Sequence, residues 1–147
     1  MSTEILSDYN VSGQKSAIVS RRKQYADLDL SLVPHPNKKD IIPLTDVDAV
    51  KNAVKNLILT SPYERPFQPF LGSRIKSILF ENSTPNTQFL LRQYISDVIE
   101  NYEPRVDSVY VEVEDDSDNN AYYVTVSFNV INVNTTANLQ LYLERVR

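Results

Sequence analysis

The strongest constraint on this chain is a change of hydrophobic period at residues 101–105, Asn-Tyr-Glu-Pro-Arg. Apolar residues recur at a helical spacing before this segment, and after it they alternate with a period of two. Proline fixes its own φ and disfavours the helical region at the preceding residue, so the sequence predicts that a helix ends at Glu103. A long helix followed by strands indicates an α+β fold.

Three strand-like stretches follow the period change. The first two predict an antiparallel hairpin with one buried face, joined by an acidic turn at residues 115–120. A third stretch also alternates, although Leu139, Leu143 and Val146 fit a helical period as well, and we interpret it as a third strand. The alternating apolar sets are Val109, Val111 and Val113, then Val124, Val126, Phe128 and Val130, then Leu139, Leu141 and Leu143.

Two principal amphipathic helices are predicted ahead of the strands and are expected to pack on this small antiparallel sheet. Thr45 and Asp48 have the spacing of a capping box at the start of the first helix. Thr84 followed by Pro85 is typical of the start of the second. The predicted inward residues are Val47, Val50, Val54, Leu57 and Ile58, then Phe89, Leu90, Ile95, Val98, Ile99 and Tyr102, with Ile75, Ile78 and Leu79 on a short helix at residues 73–82 between them.

A proline-rich segment at residues 63–72 separates the first helix from the second. We interpret it as an ordered structural loop that depends on Arg65, Pro66, Phe67 and Gly72. Phe67 and Phe70 are expected to anchor the loop in the core, because water does not favour large apolar rings. Gly72 is expected to supply a positive φ.

The first 39 residues differ from the rest and are predicted to form an extended N-terminal arm and linker, with the α+β domain at residues 40–147. The arm is polar and has a basic cluster at residues 21–23. Leu28, Leu30 and Leu32 alternate and could form a short strand. Two prolines in residues 33–40 indicate a linker.

The composition of the chain excludes several classes of functional site. The chain has no cysteine and two glycines, which excludes disulfides, thiolate metal sites and glycine-rich phosphate loops. The single histidine, His35, lies between two prolines and is a poor candidate for a catalytic base. A net charge of -4 gives no general attraction to nucleic acid or anionic membranes, and no apolar stretch is long enough for a membrane span. We therefore expect protein partners and no cofactor, in a chain made in a cytoplasm.

The acidic turn has part of the pattern of a calcium site. Asp116, Asp118 and Asn120 have the spacing of the first ligands of an EF-hand loop. The pattern then fails, because Ala121 stands where the loop needs glycine and Ser127 where it needs glutamate. The segment is interpreted as a solvated hairpin turn, and no metal site is predicted.

Glycoside hydrolysis is the alternative function, since it needs only two carboxylates at a suitable separation. Glu103 paired with Glu81 or Asp107 is the candidate set. A general acid also needs a partly apolar cleft that raises its pKa, and the sequence indicates none. No catalytic residue is assigned.

Glu103 and Arg105 carry opposite charges on either side of Pro104. With a proline of fixed φ between them, the two side chains are expected to point outward in different directions, where they would bind a partner instead of each other. The simpler alternative is a helix terminator between two solvated charges.

Three segments in order carry a resemblance to a known family: Glu-Arg-Pro-Phe-Gln-Pro-Phe-Leu-Gly at residues 64–72, Ile-Leu-Phe-Glu-Asn with Thr-Pro at 78–85, and Asn-Tyr-Glu-Pro-Arg-Val at 101–106. Together they resemble the baseplate wedge proteins of contractile-tailed phages, in particular the T-even tail-lysozyme-like wedge subunits, which are also similar to a type VI secretion baseplate component. The resemblance covers about residues 40–145. Tyr63 departs from the pattern, since the family often has glycine there.

This resemblance implies a structural protein of the virion tail baseplate, assembled in the host cytoplasm, with several copies around a sixfold axis. It implies that Glu103, Pro104 and Arg105 contact the helical core bundle formed by other wedge proteins. It also implies that the strand at residues 139–146, with Leu139, Leu141 and Leu143, or its hairpin neighbour, serves as a template on which the first ring of tail sheath subunits adds. An exposed strand edge, normally an aggregation hazard, suits that role.

Overall fold

The computed structural model describes residues 24–30, 32–37, 39–133 and 135–145. Within these ranges the fold is α+β, as predicted, with helices and antiparallel sheets. The elements are β1 (Ala26–Leu28), β2 (Pro43–Thr45), α1 (Val47–Leu59), α2 (Ile75–Ile78), α3 (Pro85–Tyr102), β3 (Val106–Asp116), β4 (Ala121–Val130) and β5 (Thr135–Glu144).

Helix α1 buries the predicted stripe, but its start differs from the prediction. The capping box is wrong, because the N-cap is Asp46 and not Thr45, which is paired with Ala26 in the β1–β2 ladder. Asp46 stands at the N-cap with a φ of 52° and makes no side-chain cap bond. Its carboxylate accepts hydrogen bonds from the backbone N–H groups of Gln24 at 2.8 Å and Tyr25 at 3.3 Å. The acid that begins the helix therefore ties the end of the arm to the domain.

Helix α3 begins and ends as predicted. Thr84 accepts a hydrogen bond from the Thr87 N–H at 3.2 Å, Pro85 is the first helical residue, and Glu103 is the C-cap. The prediction that Phe89 and Tyr102 point inward is wrong, since their side chains are 61% and 41% exposed. Phe89 lies six residues before the buried Ile95, about 120° away around the helix, whereas Leu91 lies one turn before it and is buried.

The larger sheet has the order β3–β4–β5 and is antiparallel throughout, which confirms the hairpin and the third strand. Residues 139–144 form a strand and not a helix. The acidic segment makes the turn between β3 and β4, as predicted. Tyr122 is fully buried beside the predicted valines. The apolar core lies between this sheet and the helices and includes Val50, Val54, Ile58, Leu91, Ile95, Ile99, Val124, Val126 and Phe128.

The end of the arm contacts the domain. Ala26–Leu28 pairs with Pro43–Thr45, across the predicted boundary at residue 40, and that boundary stays a prediction. The strand begins earlier than predicted, and Leu30 and Leu32 lie outside it and are exposed. The basic cluster at residues 21–23 falls outside the described residues. Among the helices that the structure describes, none has the length and apolar character needed to span a bilayer.

Candidate partner-binding site

Glu103 and Arg105 form a bidentate ion pair at the end of α3. The Arg105 Nε donates to Glu103 Oε1 at 2.6 Å, and Nη2 donates to Oε2 at 2.7 Å. The expectation that the two side chains diverge is therefore wrong. Pro104 lies in a turn in which the Val106 N–H donates to the Glu103 carbonyl at 3.1 Å, and this turn brings residues 103 and 105 to the same side. Glu103 is only 6% exposed.

Tyr25 lies over the ion pair, a contact that the sequence did not indicate. The Arg105 guanidinium carbon is 5.6 Å from the centroid of the Tyr25 ring, which is within the range of a cation–π contact. The Tyr25 hydroxyl donates to the Ile131 carbonyl at 3.2 Å and accepts from Asn132 Nδ2 at 3.2 Å. Eighty positions separate Tyr25 from Arg105, so no local pattern could have predicted this contact.

The positive charge of Arg105 is stabilised by its neighbours. The side-chain hydrogen bonds with Glu103 raise the pKa of Arg105 above its ordinary value, and the Asp27 carboxylate raises it further, against the opposing effect of partial burial. The guanidinium is therefore a fixed cation with one planar edge already bonded. Its side chain is 29% exposed, so part of it still faces solvent.

A cavity of about 310 Å³ opens beside Glu103. Its walls include Asp27, Asn56, Arg65 and Tyr102, so it is largely polar. Because both carboxylate oxygens of Glu103 accept from Arg105, neither is free to deliver a proton to a substrate in this cavity. The pairing disfavours Glu103 as a general acid.

The segment at residues 63–72 is an ordered loop, as predicted. The Tyr63 N–H donates to the Pro69 carbonyl at 2.7 Å, which closes the loop across its base. Gly72 has a φ of 131°, which confirms the predicted positive value. Glu64 accepts from the Ser61 N–H at 2.7 Å, and this hydrogen bond, together with the charge of Lys76, lowers the pKa of Glu64.

The prediction that Phe67 and Phe70 anchor this loop in the core is wrong. Their side chains are 97% and 74% exposed. Backbone hydrogen bonds hold the loop instead, among them the Gln68 N–H to the Arg65 carbonyl at 3.2 Å, and the buried core cluster includes Ile75, Ile78 and Leu79 but neither phenylalanine. The Tyr102 hydroxyl donates to the Phe70 carbonyl at 2.9 Å and so joins the loop to the end of α3.

The strand predicted to be the sheath template lies at an edge of the sheet, and β4 is paired on both sides and offers no edge. The Arg145 N–H donates to the Asn120 carbonyl at 2.9 Å. Hydrogen-bonded pairs alternate along an antiparallel ladder, so the odd-numbered N–H groups of β5 point to β4. The even-numbered ones, such as those of Gln140 and Tyr142, face the free edge. Leu139, Leu141 and Leu143 thus bond within the sheet, and the last two are buried.

The opposite edge, on β3, is obstructed. Arg92 Nη2 on α3 donates to the Val113 carbonyl at 3.2 Å, and that carbonyl belongs to the set pointing away from β4. The register also shifts between Asp107 and Tyr110, where Ser108 has a φ of 54°. Bulges and covering side chains are common ways to block strand addition. The ten-residue β5 ladder has no such irregularity.

Comparison with known proteins agrees with the predicted resemblance. A family model described as baseplate wedge protein gp25 matches residues 45–135, more than half of the chain. The chain belongs to this family. It is 34% identical over 109 residues to the baseplate wedge protein gp25 of Enterobacteria phage T4, an alignment that covers 74% of this chain and 82% of the relative. The gp25 family member described here is thus a component of a contractile phage tail, located in the baseplate of the virion.

Solved structures share the fold of this gp25 family member. They include a protein from Geobacter sulfurreducens described as a candidate tail lysozyme, with a TM-score of 0.62 and 18% identity over 67% of this chain and 89% of that chain. A chain of the type VI secretion system baseplate complex has a TM-score of 0.53 and 19% identity over 65% and 91%. A chain of the anti-feeding prophage baseplate has a TM-score of 0.53 and 16% identity over 84% and 87%. At these identities the likeness concerns the fold alone.

Proposed function

We propose that this gp25 family member is a structural subunit that joins a baseplate wedge and acts in assembly, without catalysis. The observation that carries the proposal is the bidentate pair of Glu103 and Arg105, held rigidly at the end of α3. A pair whose charges already neutralise each other suits a docking surface. It does not suit a general acid, which needs a free carboxyl oxygen.

The proposed partner of this pair is the helical core bundle formed by other wedge proteins. Arg105 has five N–H donors, of which Glu103 takes one on Nε and one on Nη2. Within the part of the chain that the structure describes, the donors on Nη1 and the second on Nη2 bond no other residue, and they can meet acceptors on the partner. Pro104 lies between the paired residues, is exposed, and offers a rigid apolar contact. Copies of such wedges around a sixfold axis remain a prediction.

Arg105→Lys tests this contact. Lysine keeps the charge but cannot bond Glu103 and a partner through one planar fork, so we expect wedge binding to weaken about tenfold, which corresponds to about 1.4 kcal/mol. The measurement is a titration of the purified chain against the isolated wedge complex. Lys55→Arg, an exchange of the same two residue types on the exposed side of α1, is the control and should bind as the parent does. Equal affinities for the parent and Arg105→Lys would contradict the contact.

We further propose that β5 is the template on which the first ring of sheath subunits assembles by strand addition. The obstructed β3 edge and the regular β5 edge support this choice. A partner strand would meet the even-numbered N–H and C=O groups of β5, not the side chains of Leu139, Leu141 and Leu143.

Gln140→Pro tests the template. Proline removes one edge donor and places its ring towards the incoming strand, while the bonds of Leu139 and Leu141 to β4 are left in place. We expect baseplates that contain the variant to carry few or no sheathed tails in electron micrographs. Gln140→Ala, which keeps the N–H, should support normal sheaths. Normal sheath growth on a folded Gln140→Pro variant would show that another edge is used.

A further inference from the structure

The aromatic loop, defined here as residues 63–70, exposes three large rings. Tyr63 is 76% exposed, Phe67 97% and Phe70 74%. Single exposed apolar residues are ordinary on protein surfaces, but a contiguous exposed apolar group marks an interaction site in many proteins. The rings of Tyr63 and Phe70 also contact each other edge to face, with centroids 6.3 Å apart.

Hydrogen bonds and prolines fix the conformation of the aromatic loop. Its base is closed by the Tyr63 N–H to Pro69 carbonyl bond, and the Tyr102 hydroxyl donates to the carbonyl of the next residue, Phe70. Pro66 and Pro69 restrict φ within it. A loop that is already ordered loses little conformational entropy when a partner binds, so it can use exposed rings for binding at low cost.

A cavity of about 290 Å³ lies between the aromatic loop and α3. The rings of Tyr63, Phe70 and Tyr102, together with Val98, form much of its wall. This volume accommodates one or two apolar side chains from a partner. The surface thus has both projecting rings and a recess, the combination found at the anchor points of protein interfaces.

The charges around the loop indicate the chemistry of the partner. Lys76 pairs with Glu64 at 3.7 Å, so these two charges cancel. Arg65 and Arg74 are exposed, and neither has a salt bridge among the residues that the structure describes. Arg74 and Asp97 line the cavity, whereas Arg65 lies in the loop itself and lines the cavity beside Glu103. Counted over the loop and its cavity together, two cations and one anion leave a net charge of +1. Complementarity therefore favours a partner with carboxylates.

We propose that the aromatic loop is a second docking surface, which binds an acidic amphipathic segment of another protein. Apolar side chains of that segment enter the cavity against Tyr63 and Phe70, and its carboxylates meet Arg65 and Arg74. The rings of this contact are not part of the Glu103–Arg105 pair, although Arg65 and Tyr102 also line the cavity beside Glu103.

The double variant Phe67→Ala/Phe70→Ala in the full chain tests the apolar part. We expect its incorporation into assembled baseplates to fall at least tenfold, with an unchanged thermal midpoint because both rings are in solvent. Phe89→Ala removes a ring of similar exposure from α3 and is the matched control. Incorporation of the double variant at the parental level would overturn the proposal.

Charge reversal tests the acidic part. Arg65→Glu and Arg74→Glu are expected to reduce incorporation at least tenfold, while Arg65→Lys keeps most of it. Lys55→Glu, on the exposed side of α1, is the control and should have no effect. If both reversals incorporate normally, the partner is not acidic and the proposal is overturned.

A photoreactive phenylalanine at position 67, in assembled tails, identifies the occupant. We expect a crosslink to a segment of another protein that contains both apolar and acidic residues. Crosslinks only to a second copy of this chain, or only to its own residues 1–23, would overturn the proposal. Arg105→Lys separates the two contacts. Reduced incorporation of the loop variants with normal wedge binding of Arg105→Lys supports the loop contact alone. Normal incorporation of the loop variants with reduced binding of Arg105→Lys supports only the ion-pair contact.

Discussion

Replacing Gly72 with alanine is expected to destabilise the protein by about 3 kcal/mol. A Cβ at this position would lie 2.5 Å from the Thr60 carbonyl oxygen and 2.9 Å from the Ser61 carbonyl carbon. These are backbone atoms, and the Thr60 carbonyl is fixed by a 2.8 Å hydrogen bond from the Ser73 N–H. The φ of 131° adds strain, because side chains with a Cβ rarely adopt it. Neither the clash nor the strain can be relieved by a side-chain rotation.

Chemical denaturation of the full chain measures this loss. Gln68→Ala, in the same loop and exposed, should change the free energy of unfolding by less than about 0.5 kcal/mol. A loss below about 1 kcal/mol for Gly72→Ala would show that the loop shifts to accept the methyl group. Because Gly72 lies two residues after the aromatic loop, incorporation into baseplates should fall together with stability.

Glu103→Ala is expected to destabilise the protein by about 2 kcal/mol and to abolish wedge binding. The change leaves the Arg105 guanidinium partly buried without its counter-ion, and breaking a buried pair on one side is costly. The loss is smaller than for a fully buried pair, because Arg105 is partly exposed and Asp27 lies nearby. Glu103→Gln keeps the shape and one acceptor, so it should lose less stability.

Three measurements on these variants separate assembly from hydrolysis: denaturation, wedge binding and peptidoglycan turnover. Glu100→Ala, an exposed acid one turn earlier on α3, should behave as the parent in all three. We expect no turnover by the parent protein. Turnover by the parent that disappears in Glu103→Gln would contradict the assembly function and restore the hydrolase alternative.

The prediction of α3 succeeded because its signals are local. Thr84 and Pro85 begin the helix and Pro104 ends it through backbone conformation and hydrogen bonds within a few residues. The same holds for the strands, where alternation with a period of two follows from the pleat itself. The error at Phe89 came from choosing the larger apolar residue over Leu91, which has the correct helical phase.

That Glu103 and Arg105 form a binding site stays a prediction, whereas the predicted geometry of their side chains was wrong. The sequence singled out Glu103 and Arg105. Whether their side chains diverge or bond each other depends on the turn at Pro104, which a two-residue spacing does not specify. Whether Phe67 is a core anchor or an exposed ring likewise depends on the packing of the folded chain, in which the core cluster forms without it. Burial is a property of the packed neighbourhood, and apolar character alone does not decide it.

By itself, the sequence determined the α+β class, the helix and strand segments, the positive φ at Gly72 and membership of the baseplate wedge family. These follow from local conformational preferences and from ordered motifs that can be recognised in the sequence without the structure. Only the tertiary structure decided that Arg105 binds Glu103 beneath Tyr25, that Phe67 and Phe70 face solvent, and that β5 has the free edge. Each of these depends on contacts between distant segments, or on the direction of a backbone turn, and such contacts form only when the chain has packed.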